Sequence, residues 1–367
     1  MRQLYLHAGL PKTGTTFLQA LFLKNRAALE AAGLGFGPHM NPATGSHWPG
    51  FVDAIEARGA AAVIAETEAC PGEKILVSNE DLAHFLPMPA GDGRSWGAAL
   101  RDAAAGRFAV TVIVYVRRQD FLKESIFAQS VKAWYAGDIR DIGHYDFDLD
   151  GKLRALEAIF GRDRVRAIVY DDLRPADIVA PFLAALGLDL DPGRLPPVGR
   201  ENASMHRRKL LFLAGLPKPA AAEHAENAAA RFPAGFVAKV LAGSSAVADD
   251  GGRFLMSPAE RHALVAAHLD GNRALVARHG IADPGGFVEL PDPAAPWTPP
   301  APITAREITA VWRESLAAAR AGRDPLRTAW LAARLARPFA AMAARSRRVP
   351  ARNAPRNAPG NASGAAL

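Results

Sequence analysis

One cysteine, Cys70, is all that the 367 residues contain. That excludes an intrachain disulfide and any metal site built from several thiolates. No apolar run approaches the roughly twenty residues that span a bilayer. No basic flank and apolar stretch precede the first strand-like segment at Leu4, so no signal peptide is expected and a cytoplasmic location is the simplest expectation. The sequons at Asn202 and Asn361 are then chance matches. Net positive charge is missing from most of the chain, although the total is +7. From Arg320 onward, ten Arg against the lone acid Asp324 carry +9, which leaves −2 for the first 319 residues. A near-neutral body disfavours a general nucleic-acid-binding fold, whereas a basic tail can contact an anionic surface. Hydrophobic content of 49% and charged content of 22% fit a globular chain of one large or two modest domains.

The chain is organised around its first sixteen residues, MRQLYLHAGLPKTGTT. Leu4–His7 read as a short apolar strand. A tight Gly9–Gly14 turn follows, and a helical pattern opens at Thr15-Thr16 with Phe17, Leu18, Leu21 and Phe22. Strand, Gly-rich turn and helix in that order make an anion cradle, because turn N–H groups point inward and the helix start carries partial positive charge. Lys12 adds a full charge, and Thr13, Gly14, Thr15 and Thr16 complete the cradle. The usual triphosphate loop places Lys after the second Gly; here Lys12 precedes Gly14.

Further strands are expected at 74–78, 108–116 and 165–170, with helices at 51–68, 151–160 and roughly 176–187. Segment 33–50, rich in Gly, Pro, His and Asn, reads as a loop carrying His39, His47 and Trp48. Strand KILVS runs into Asn79-Glu80-Asp81, which places acids at a strand end beside the cradle, where open α/β sheets do chemistry. Glu80 is equally readable as a helix cap, and Asp81 more readily so. The apolar run Phe108–Val116 suits a parallel strand buried on both faces. It ends in Arg117-Arg118, and Ser125 follows eight residues after Arg117, making a second anion site.

Lys before the second Gly in GLPKTGTT, with Arg117 and Ser125 at that spacing, resembles the sulfotransferases that use 3′-phosphoadenosine 5′-phosphosulfate (PAPS). The resemblance covers the first two-thirds of the chain and lies nearest to bacterial and carbohydrate-type members. It implies an α/β fold, a parallel sheet flanked by helices with P-loop-like nucleotide binding. It assigns the 5′ end of PAPS to Lys12, Thr13, Gly14, Thr15 and Thr16, and the 3′-phosphate to Arg117 and Ser125. A late loop holding Arg200, Asn202 and Ser204 would close over the nucleotide. Glu80 is the first candidate for general base and His47 the second, and no metal is required. The implied acceptor is a hydroxyl, of a carbohydrate or glycolipid, on which Trp48, Trp134 or Tyr135 could stack. Strand 165–170 ends in Asp171-Asp172, a possible magnesium ligand, so a P-loop kinase using ATP and Mg²⁺ is one alternative. A non-catalytic nucleotide-binding module that docks through the basic tail is the other.

The expected organisation is one α/β domain over 1–285 and a linker over 286–304, within a stretch (281–304) that holds seven Pro and reads as a linker or a wrapping segment. A C-terminal helical extension, basic, is expected over 305–345, and a low-complexity, disordered tail over 346–367.

Overall fold

The computed structural model describes residues 1–133, 137–142, 145–170, 178–198, 205–216 and 232–322. Trp134, Tyr135, Asp171, Asp172, Arg200, Asn202 and Ser204 lie outside these residues, as do the rest of the basic extension and the tail 346–367.

Five strands form one parallel sheet: β1 (Arg2–Ala8), β2 (Leu34–Phe36), β3 (Lys74–Asn79), β4 (Phe108–Arg117) and β5 (Val165–Tyr170). Their order is β2-β3-β1-β4-β5. In register, Leu4 lies between Ile75 and Val110, Ala8 pairs with Asn79, and Arg117 pairs with Tyr170. Every residue of β4 from Phe108 to Val116 is buried, as its continuous apolar pattern requires. Helices fill each crossover. α1 (Thr15–Lys24) and α2 (Arg26–Ala31) join β1 to β2, and α3 (Gly50–Arg58) and α4 (Ala60–Glu68) join β2 to β3. α5 (Leu82–Phe85) and α6 (Trp96–Ala104) lead to β4, α7 (Gln119–Ala133) and α8 (Leu149–Phe160) to β5, and α9 (Val179–Ala185) follows.

Two local readings change. Segment 33–50 is not all loop, because Leu34–Phe36 pairs with Lys74–Leu76 as an edge strand. Three residues are too few for a periodic signal. The helix expected over 51–68 is two helices, broken at Gly59, whose φ of 84° leaves the helical region.

One core lies between α1, α9 and the sheet, where Leu18, Leu21 and Phe22 meet Tyr5, Tyr115 and Phe182. The Phe22 and Phe182 rings are 5.2 Å apart.

The chain divides into two compact units. The first comprises Met1–Gln129, Asp138–Ser204 and Phe254–Pro299, so the Pro-rich segment up to 299 belongs to the sheet unit. A buried ion cluster fastens it there. Asp120, fully buried, accepts from Arg118 Nε at 2.8 Å and Arg261 Nε at 2.9 Å, while Arg118 Nη1 donates to Gly286 O at 2.8 Å. Glu124 Oε1 accepts the N–H groups of Leu255 and Met256 at 2.8 and 2.9 Å. The second unit includes the helices Arg207–Gly215, Phe232–Gly243 and Ala305–Ala321. There Arg207 pairs with Asp250 and Arg208 with Glu307, both at 2.8 Å. Glu307 also closes a capping box with Thr304. Among the described residues, no helix is long and apolar enough to cross a membrane.

Candidate functional site

The connection after β1 leaves toward β2 and the connection after β4 toward β5, and these two strands are neighbours. Strand ends whose connections diverge open a crevice at the carboxyl edge of a parallel sheet. The GLPKTGTT turn starts at the end of β1 and Arg117 closes β4, so both face that crevice edge by position.

The turn is shaped by left-handed residues. Lys12 has φ 66° and Gly14 φ 83°. Thr13 is buried and ties the turn to itself, its Oγ1 donating to Leu10 O at 2.7 Å. α1 then begins on left-handed Gly14 with no side-chain cap. The first N–H groups of a helix have no partner inside it, so this end is an uncapped donor set. Thr15 belongs to it. Its hydroxyl is buried, has no hydrogen-bond partner among the described residues, and stands 2.6 Å from where a Cβ on Gly9 would sit. Thr16, one residue on, is exposed and donates to Glu80 Oε1 at 2.6 Å.

Arg117 comes to the same turn. Its Nη1 donates to Lys12 O at 2.8 Å, and its guanidinium carbon lies 5.2 Å from the centre of the Tyr170 ring. That ring also packs at the turn, 3.3 Å from where a Gly14 Cβ would stand. Arg117 therefore braces the cradle backbone, whereas the sequence reading places it only at a second, separate anion site. Ser125 is half-buried in the second turn of α7. Glu80 is half-buried just beyond β3, with Gly9 N–H bound to Asn79 O at 3.0 Å beside it. Asp81 precedes α5 without capping it through its side chain.

His47 does not serve as a base in this arrangement. It is 1% exposed, its Nδ1 accepts Ser78 N–H at 3.1 Å, and its Nε2 contacts Gly37 O at 3.3 Å. Burial pushes its pKa down to about 4, against the opposing pull of the Gly37 and Ser78 backbone contacts. With both ring nitrogens engaged, no lone pair is left for a substrate hydroxyl. His39, exposed, pairs with Glu66 at 2.8 Å.

No family model matches the chain, and no curated protein is found similar to it. Among solved structures, a sulfotransferase from Alicyclobacillus acidocaldarius matches with a TM-score of 0.32 and 13% identity. The match covers 55% of this chain and 87% of that one. A likeness this slight bears on neither fold nor function.

Beneath the turn runs a buried polar chain that the sequence reading passes over. Ser78 Oγ meets His7 Nδ1 at 2.8 Å and accepts from Gln19 Nε2 at 3.2 Å. Gln19 Nε2 also reaches Ser78 O at 3.3 Å. Gln19 lies one turn after Thr16, so α1 grips the end of β3 at two points, Ser78 and Glu80. His7 is fully buried, its pKa pushed down to about 3 by that burial. A histidine inside the apolar run LYLHA is the signal that marks this chain, since a buried polar group needs a partner. Among the described residues, no group of three or more His, Cys, Asp or Glu is placed to hold a metal ion.

Proposed function

We propose that the chain is a P-loop-like sulfotransferase that moves a sulfuryl group from PAPS to an acceptor hydroxyl, of a carbohydrate or glycolipid by the sequence resemblance. The observation that carries this reading is the Thr15 hydroxyl, buried without a partner in the uncapped first turn of α1 beside Lys12. A buried polar atom left unpaired costs about 1–3 kcal/mol, and an anion in the cradle is the group that would relieve it.

The residues fit such a ligand. Lys12, Thr13, Gly14, Thr15 and Thr16 would hold the 5′ anion, and Arg117 and Ser125 the 3′-phosphate. When bound, PAPS supplies the sulfuryl group and an anionic leaving group. Lys12 stabilises charge growing on the oxygen that departs. Glu80 takes the proton from the acceptor hydroxyl at Oε2, the oxygen that Thr16 does not occupy. Proton removal by a placed base contributes about 10²–10⁴-fold. The scheme calls on no metal, and cytoplasmic residence of such an enzyme is part of the proposal.

The test is release of 3′,5′-adenosine bisphosphate from PAPS in the presence of a panel of oligosaccharides and glycolipids. Glu80→Gln should lower turnover by about 10²-fold or more while PAPS still binds. Lys12→Ala should abolish it. Full activity in Glu80→Gln would remove that base, and transfer from ATP instead of PAPS would overturn the function.

A further inference from the structure

Thr16 carries a single O–H proton, and Glu80 Oε1 holds it at 2.6 Å, within the short range of charge-assisted bonds. A hydroxyl has one proton to donate, so the same O–H cannot also serve an anion in the cradle. Which partner is free to move is set by burial. Glu80 follows directly on a strand end fixed by Gly9 N–H on Asn79 O and by the His7, Gln19 and His47 contacts to Ser78. Thr16 is exposed at the start of α1, where its side chain can change rotamer within nanoseconds. Its backbone N–H belongs to the same uncapped turn as the unpartnered Thr15 hydroxyl, so rotation about one bond separates its two duties.

We propose that Thr16 exchanges partners: it masks Glu80 Oε1 while the cradle is empty and turns to the 5′ anion when the nucleotide binds. The exchange links the two sites: Glu80 Oε2 is open throughout, and Oε1 joins it only after the cradle is filled. This rests on the sulfotransferase reading only for the identity of the anion and the role of Glu80.

The consequence is a coupling between two side chains, measurable without knowing the acceptor. Calorimetric titration with 3′,5′-adenosine bisphosphate is run on the parent chain, Thr16→Val, Glu80→Ala and the double variant. In the parent, Thr16→Val removes a contact to the anion but also removes the bond that must be broken first. In the Glu80→Ala chain it removes only the contact. The affinity loss from Thr16→Val is therefore expected to be about tenfold larger, or more, in the Glu80→Ala background. Removal of the Glu80 charge alone changes affinity equally with and without the Thr16 hydroxyl, so it does not produce this difference. Thr16→Ser, which keeps the hydroxyl, should behave as the parent, and equal melting temperatures across the set show that each chain folds. Equal factors in the two backgrounds overturn the exchange and leave the nucleotide site standing. No binding of the bisphosphate by the folded parent overturns both.

Discussion

His7 and His47 lie on neighbouring sides of Ser78, both buried and both held neutral. Their pKa values sit at about 3 and about 4, below the ordinary 6.5, because burial disfavours the charged ring. The unfolded chain binds these protons first, so stability is complete above pH 6.5 and falls as pH drops toward 4. Between pH 6.5 and 5 each histidine should cost about 2 kcal/mol. Urea unfolding at the two pH values measures this, and His47→Asn should make the loss between them smaller by about 2 kcal/mol. A loss unchanged in that variant would mean that His47 is not buried as described. The same two residues mark the limits of reading residues from sequence. His47 stands beside a Trp in a Gly- and Pro-rich segment, a setting typical of exposed functional loops. Its ring is held by backbone contacts with Gly37 in the same segment and with Ser78, 31 residues on, and nothing in the local text announces the second.

At the scale of elements, β1, the turn and α1 act as one device, and their order was legible because each has a local cause. The apolar strand, the glycines and the helical spacing all lie within twenty-four residues. The pairing of Thr16 with Glu80 was not legible, since it depends on β3 lying next to β1, a choice made by the whole sheet. The edge strand β2 was missed for lack of length, and the break at Gly59 because a single glycine inside helical text does not by itself mark an end. Gly14 is the most exacting point of the device. A Cβ there would meet Ile178 Cδ1 at 2.8 Å and the Tyr170 ring at 3.3 Å, on a backbone of φ 83°. The left-handed conformation alone costs a side chain about 1–2 kcal/mol. Gly14→Ala is therefore expected to lower stability by about that amount and to abolish nucleotide binding, because the first turn of α1 must shift. Thermal unfolding and calorimetry on the same variant check both parts, and unaltered binding would show that the turn does not form the cradle.

Across the whole molecule, segment 254–299 joins the sheet unit through buried apolar side chains, Val265, Leu275 and Phe287 among them, and through a cluster of ions. Arg261 lies 3.5 Å from the centre of the Phe254 ring and bonds Asp120, which Arg118 bonds from its other side. Burial raises the Asp120 carboxyl, yet the two guanidinium groups outweigh it and hold the pKa below the ordinary carboxylate value. Removing that carboxylate leaves two part-buried cations uncompensated. Asp120→Ala should therefore cost about 3–5 kcal/mol in chemical denaturation, and a loss below 1 kcal/mol would show that the cluster does not fasten the segment. The residues of this clamp were not legible in sequence, where Pro-rich text after 281 reads as a linker or a wrapping segment. The nucleotide account makes a demand of the same breadth, since it needs anion sites contributed by both β1 and β4. The most direct test is calorimetric titration of the full chain with 3′,5′-adenosine bisphosphate, 5′-AMP, and ATP with Mg²⁺. The account predicts clear preference for the bisphosphate, largely lost in Arg117→Ala, whereas preference for ATP with Mg²⁺, or no binding by any of the three, would contradict it.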